Sequence, residues 1–155
     1  MLRKHSTVVL ALSLAAIGAP AAAQSFSPST GTAPFSGWIT ESARTCILSG
    51  SVSLSPNTAS ATSQILAPGN ILCGGAIIPF GVWHADTIPS SWTTISLTFG
   101  RQEAMRTCYG AITATWNPST HTASFTNASL AYVSGVPAAP CIVSGAVTLT
   151  GIDIL

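Results

Sequence analysis

Charged side chains are almost absent from this chain. Only 6% of its 155 residues are charged, and the single lysine, Lys4, lies close to the N-terminus. A protein that binds nucleic acid needs a basic patch that displaces counterions from the phosphates. Beyond residue 23 only three arginines remain, which are too few for such a patch, so the composition excludes nucleic acid as a partner. They stand against four carboxylates, the full set being Arg44, Arg101, Arg106, Glu41, Asp86, Glu103 and Asp153.

Long apolar segments are scarce as well. The longest follows Arg3-Lys4-His5, covers residues 8–17 and precedes the small residues Ala21-Ala22-Ala23. A charged start, a short apolar run and a small-residue site are the parts of a secretory signal peptide, and the run is too short to cross a bilayer. We therefore expect residues 1–23 to be a cleaved signal peptide, no transmembrane helix, and an exported protein that is periplasmic or extracellular.

The cysteines indicate a disulfide-bonded scaffold. There are 4, namely Cys46, Cys73, Cys108 and Cys141. An even number in an exported chain favours disulfides over metal or thiol chemistry, although cysteine count alone leaves the pairing open. A degenerate pattern occurs twice, at about residues 44–82 and 106–151: Arg-Thr-Cys, a turn with proline and asparagine, a small-residue run, a second cysteine and an apolar segment. The repeat favours one disulfide in each copy, Cys46–Cys73 and Cys108–Cys141.

Apolar and polar residues alternate with a period of two in several segments. The clearest are residues 51–54, 94–99, 111–116 and 146–150, and turns containing proline, glycine or asparagine separate them. This period is typical of half-buried strands, and short strands with regular turns predict an antiparallel sandwich or a closed barrel. We expect residues 24–155 to form a single all-β domain with two disulfides. Residues 101–105 could form one helical turn, and no longer helix is expected.

The central stretch, residues 77–92, contains two titratable side chains between tryptophans. His84 and Asp86 lie two residues apart, which places both on one face of a strand, next to Trp83 and before Trp92. They could form an acid–base pair or half of a metal site. They could also be solvated charges in a surface loop whose tryptophans close the end of the sandwich, and this is the interpretation we favour. A zinc site would need His121 as a further ligand.

Signatures of a hydrolase are missing. There is no Gly-x-Ser-x-Gly motif, and the paired carboxylates of a glycosidase would have to come from the four acids. We expect Glu41 and Asp153 at strand edges, and Glu103 in a solvated ion pair with Arg101 and Arg106. The sequence therefore predicts a protein that is not an enzyme and that holds no cofactor and no metal.

An apolar contact surface is the remaining candidate for a functional site. The central stretch is rich in large apolar residues, and we expect its two isoleucines to be in the core but its tryptophans to be exposed. The low charge also removes much of the repulsion that keeps proteins apart, so self-association is possible. The expected partner is a hydrocarbon or lipid-like surface, and the candidate contact residues are Phe80, Val82, Trp83 and Trp92.

A series of short motifs in a fixed order extends over the whole chain beyond residue 23. They are Phe35-Ser36-Gly37, Leu72-Cys73, Gly81-Val82-Trp83, Cys108-Tyr109-Gly110, and the segments 124–130 and 141–149. In order and spacing they resemble the secreted alkane-oxidation activator proteins of the Pra type, from Gram-negative bacteria. The resemblance implies an extracellular, non-enzymatic protein associated with growth on alkanes, which aids emulsification or contact between cells and hydrocarbons. It brings no catalytic residues with it.

An alternative from another class is a surface-structural or pilin-like, adhesive sandwich subunit. Such subunits complete an open sandwich with a strand donated by a neighbour. Residues 24–34, rich in serine, threonine and proline, could serve as that donor segment.

Overall fold

The computed structural model describes residues 24–41, 44–67, 73, 77–103 and 105–155, and the predicted signal peptide lies outside them. These residues form ten strands, and none of them is helical. The strands are β1 (Phe26–Ser27), β2 (Gly31–Glu41), β3 (Arg44–Leu54), β4 (Thr58–Ala67), β5 (Ile77–Thr87), β6 (Thr94–Glu103), β7 (Arg106–Asn117), β8 (Thr122–Gly135), β9 (Cys141–Leu149) and β10 (Asp153–Ile154).

Strands β2 to β9 close into an antiparallel barrel in sequence order, with β9 pairing back to β2. Of the two all-β architectures that the sequence allows, the chain therefore adopts the barrel. A closed barrel leaves no open sandwich for a neighbour's strand to complete. The predicted donor segment is also engaged within its own chain, because β1 pairs with β10 and β2 begins at Gly31. In this structure residues 24–34 are therefore not free to act as the donor segment that the alternative requires.

The sequence repeat corresponds to two sets of three consecutive strands. The first copy forms β3, β4 and β5, and the second forms β7, β8 and β9. The predicted pairing is confirmed, since Cys46 is bonded to Cys73 and Cys108 to Cys141. Both bonds lie at the end of the barrel where β3, β7 and β9 begin, which we call the disulfide end.

The opposite end is closed by the two chain segments that flank the barrel, and we call it the capped end. The backbone N–H of Phe26 in β1 donates to the carbonyl of Pro56, in the turn between β3 and β4. The hydroxyl of Thr87, at the end of β5, donates to the carbonyl of Gln24 at 3.0 Å. The β1–β10 pair therefore lies across the turns at this end. The side chain of Phe26 in β1 points into the barrel core and is fully buried.

The alternating pattern fills the barrel interior with apolar side chains. On β6 the buried residues are Ile95, Leu97 and Phe99, each two positions from the next. The Phe99 ring lies 5.5 Å from that of Trp83 and 5.6 Å from that of Phe125, which makes an aromatic cluster across the interior. A void of about 50 Å³ lies among the core side chains, which is small enough that the barrel has a packed core rather than an open ligand cavity.

Candidate functional site

The outer surface of the barrel is hydroxylated toward the capped end and gains apolar residues toward the disulfide end. In that direction, outward positions of β3 hold Ser53, Ser51, Ser49, Ile47 and, at the rim, Thr45. On β7 the corresponding positions hold Thr115, Thr113, Ala111 and then Tyr109. Each strand buries one face in the core, so this change affects only the face that meets the surroundings. The apolar outward residues therefore lie toward the disulfide end, inside a polar rim.

Three large apolar side chains on neighbouring strands form what we call the apolar strip: Trp38, Ile47 and Ile65. Trp38 on β2 is directly opposite Ile47 on β3. Ile47 is opposite Ala67 on β4, and Ile65 is opposite Ser49, which makes Ile47 and Ile65 diagonal neighbours. Opposite and diagonal residues on one sheet face are close enough for large side chains to touch. The three are 44%, 47% and 60% exposed, so the strip is a continuous apolar surface. None of these three residues is among the contact residues predicted from the sequence.

A second apolar group lies on β5 and contains two of the predicted contact residues. Val82 is 64% exposed, and Phe80 is half-buried with its ring edge-on to Tyr109 at a centroid distance of 6.2 Å. Of the two isoleucines expected in the core, Ile77 points inward and is buried, whereas Ile78 points outward and is exposed. Alternation along a strand requires this opposite orientation of neighbours.

The expectation that Trp83 is exposed is wrong, since it is a buried core residue. A bulge between Phe80 and His84 turns the strand, with Gly81 at a φ of 72°, and directs the indole inward. The indole N–H donates to the carbonyl of Phe80 at 3.1 Å and to that of Gly100 at 3.0 Å, so its polar group is satisfied.

Trp92, in contrast, is exposed as predicted, with 53% of its surface accessible. It lies in the connection between β5 and β6, at the capped end of the barrel. Val82 lies near the middle of β5, before the residues that pair with β4. The structure therefore brings Phe80 and Val82 together but places Trp83 in the core and Trp92 at the other end.

His84 and Asp86 lie on β5 rather than in a surface loop, so the loop interpretation is wrong although their shared outer face is as expected. His84 Nε2 is 3.3 Å from Asp86 Oδ2. The hydroxyl of Thr58 on β4 donates to the other oxygen of Asp86 at 2.6 Å. In a catalytic triad the imidazole lies between the hydroxyl and the carboxylate. Here the carboxylate lies between them, so the imidazole does not activate the hydroxyl.

His121 is paired with a different carboxylate. Its Nε2 is 3.0 Å from Asp153 Oδ1, and its ring stacks on Trp116 at an interplanar angle of 15°. The hypothetical zinc site with two histidines is therefore not assembled, because His84 and His121 each bind their own aspartate. Across the described ranges, no three His, Cys, Asp or Glu side chains come together as metal ligands would.

Five charged side chains point into the disulfide end of the barrel, and we call them the charged cluster: Glu41, Arg44, Arg101, Glu103 and Arg106. The Arg101 guanidinium contacts Glu41 and donates to Glu103 at 2.8 Å. Arg106 donates to the other Glu41 oxygen at 2.8 Å, and Arg44 lies 3.5 Å from Glu103. We expect from the sequence that Glu41 lies at a strand edge and that Glu103 forms a solvated ion pair. Both expectations are wrong, because Glu41 is buried and so is Arg101, the partner of Glu103.

Strand periodicity explains where these charges lie. The inward positions of β6 continue from Ile95, Leu97 and Phe99 to Arg101 and Glu103. The strand therefore extends to Glu103, and residues 101–103 do not form the helical turn that the sequence allows. Burial lowers the pKa of the Arg101 guanidinium below its ordinary value. The Glu103 carboxylate opposes that shift in pKa, and the positive charge of Arg106 adds to it. The cluster connects β2, β3, β6 and β7 across the barrel end.

Among the residues that the structure describes, no helix is long and apolar enough to span a membrane. Comparisons with protein-family models, with curated proteins and with solved structures find no match to this chain.

Proposed function

We propose that this is an exported, non-enzymatic protein that contacts hydrocarbon or lipid-like surfaces through the apolar outer face at its disulfide end. The role is that implied by its resemblance to secreted alkane-oxidation activators, namely emulsification or contact between cells and hydrocarbons. The observation that carries the proposal is the apolar strip, Trp38, Ile47 and Ile65, on three adjacent strands. Large contiguous apolar patches on soluble proteins mark interaction surfaces.

The distribution of polarity along the barrel supports contact with an interface rather than with a small ligand. The hydroxyl-rich surface toward the capped end is suited to water, and the side of the barrel that carries the apolar strip is suited to an apolar phase, so the barrel can lie with that side against the boundary. The two disulfides brace the barrel end next to the strip. A rigid scaffold keeps the strip exposed instead of letting the strands rearrange to bury it.

Partition into hexadecane droplets tests this proposal. The oxidised protein, residues 24–155, is mixed with droplets, and its depletion from the aqueous phase and its tryptophan emission are measured. We expect strong depletion for the wild type and a loss of most of it in the double variant Trp38→Ser and Ile47→Ser, because the double variant removes the centre of the strip. The matched control is Trp92→Ser, which removes an equally exposed indole at the capped end and should partition like the wild type.

Two outcomes would overturn the proposal. One is a folded wild-type protein that stays entirely in water. The other is equal partition of the double variant and the wild type, since the strip would then carry no contact. Near-ultraviolet circular dichroism of each variant confirms that the barrel is intact, and size-exclusion chromatography separates interfacial binding from self-association.

A further inference from the structure

The charged cluster contains one positive charge more than it can neutralise. Its three guanidinium groups face two carboxylates, Glu41 and Glu103. The only other carboxylates in the sequence, Asp86 and Asp153, are paired with the two histidines elsewhere on the barrel. The disulfide end is therefore an electropositive site in a chain that has almost no charge, and an anion would balance it.

Arg106 connects this cluster to the surface. It donates to Glu41 through Nη2, and its side chain is 18% exposed. Arg106 lies in the wall of a groove with a volume of about 380 Å³, which is large enough for a head group and the start of a chain. The groove is lined by Thr40, Glu41, Arg106, Asn127, Pro140, Ile142 and Ser144.

The groove meets the apolar strip directly. Thr40 on β2 is opposite Ser144 on β9, and the next outward pair along the same two strands is Trp38 opposite Ala146. Successive outward pairs of a ladder are adjacent on the sheet surface. Ile142 is exposed on the far side of the Thr40–Ser144 pair, so the indole of Trp38 borders the groove across that pair.

We propose that this groove binds a single-chain amphiphile with a carboxylate head, the chemical class of a long-chain alkanoate. The carboxylate would be held by Arg106 and the hydroxyl groups of Thr40 and Ser144, and the alkyl chain would lie over Trp38 and Ala146. A guanidinium matches the planar shape of a carboxylate and binds it through paired hydrogen bonds. The inference deepens the proposed function, on which it rests, by naming an amphiphile that the apolar face recognises.

Titration with decanoate below its micelle concentration tests the proposal, with decyl maltoside as the uncharged amphiphile of equal chain length. Binding is measured by isothermal titration calorimetry, and its site is located by amide chemical shifts. We expect decanoate to bind at least about tenfold more tightly than decyl maltoside and to shift the amides of Thr40, Asn127 and Ser144. Equal affinities, or shifts confined to other parts of the barrel, would overturn the proposal.

Two variants with the same change in charge identify the residue responsible. Arg106→Met removes the groove arginine and should weaken decanoate binding about tenfold or more. Arg44→Met removes a more exposed arginine of the same cluster that does not line the groove, and it should weaken binding less than about threefold. An equal loss in both variants would mean that net charge, rather than the groove, attracts the anion. If Arg106→Met does not fold, the wild-type amide shifts decide the question.

Hexadecane partition of the same proteins separates this inference from the proposed function. Arg106→Met keeps the apolar strip and should still partition into droplets. If decanoate fails to bind while the wild type partitions, the groove proposal is wrong and the proposed function stands. If decanoate binds at the groove but partition fails, the interfacial role is wrong and the anion site remains.

Discussion

The indole N–H of Trp83 donates to the carbonyl of Gly100 on the neighbouring strand at 3.0 Å. The bond lies inside the barrel at the bulge in β5. On the outer side of the same bulge, the Tyr109 ring covers Gly81 and Gly100, and its hydroxyl donates to the carbonyl of Val82 at 2.9 Å. The bulge is thus held from both faces, which explains how an irregular segment persists in an otherwise regular ladder.

Replacing Trp83 with Phe should destabilise the barrel. The variant keeps an aromatic ring but leaves the carbonyls of Phe80 and Gly100 without their shared donor, and we expect a loss of about 1–3 kcal/mol. Urea unfolding followed by circular dichroism gives the free energy. The control is Trp92→Phe, an exposed site at which a change within about 0.5 kcal/mol is expected. Similar values for the two variants would contradict the assigned role of Trp83.

Gly81→Ala and Gly151→Ala separate backbone strain from steric contact. The two glycines have nearly the same φ, 72° and 73°, so an alanine at either is strained by about 1–2 kcal/mol. A Cβ at Gly151 meets nothing within 4 Å, whereas one at Gly81 would clash with the Tyr109 ring. We expect the larger loss of unfolding free energy for Gly81→Ala, and a smaller loss when Tyr109→Ala is also present. Equal losses in the two single variants would show that the Tyr109 contact is unimportant.

Removing either disulfide should lower stability by a similar amount. The bonded cysteines are 27 and 33 residues apart, and loops of this length stabilise by about 3–4 kcal/mol in the chain-entropy model. We expect the Cys46→Ala/Cys73→Ala and Cys108→Ala/Cys141→Ala proteins to unfold at clearly lower urea concentrations than the oxidised wild type. Fully reduced wild type serves as the reference. If either pair could be removed without loss, that disulfide would not brace the barrel end.

Arg101→Met tests the charged cluster. It leaves the buried carboxylate of Glu41 with Arg106 as its partner, and breaking a buried ion pair costs about 3–5 kcal/mol. Adding Glu41→Gln should recover part of this loss, because it neutralises a buried carboxylate that has lost one of its two guanidinium partners. A double-mutant cycle in urea measures the recovery. Arg44→Met, at a more exposed pair, should cost no more than about 1 kcal/mol. A result with no recovery would mean that Arg101 stabilises by packing alone.

The sequence could have revealed more of the site than it did. Alternation correctly predicts strands at residues 94–99 and 111–116. The same alternation, continued past Phe99, places Arg101 and Glu103 inward, but their charge suggested a solvated position instead. The apolar strip could not be predicted from the sequence. Trp38, Ile47 and Ile65 belong to three strands, and the register between those strands, which brings the residues together, is set by strand pairing rather than by a local pattern.

Local features of the sequence are enough to predict an all-β chain with two disulfides. The period of two and the turns depend on residues close together in the chain, and the cysteines recur within a repeated pattern. Three features follow instead from the three-dimensional pairing of the strands: the closure of β9 on β2, the inward direction of Trp83 at the bulge, and the contact of Glu41 with Arg101. These depend on which strands become neighbours in space. A buried charge is tolerated when an opposite charge lies beside it and is strongly unfavourable alone. Which charges become partners depends on the pairing of the strands, which a local sequence pattern does not contain.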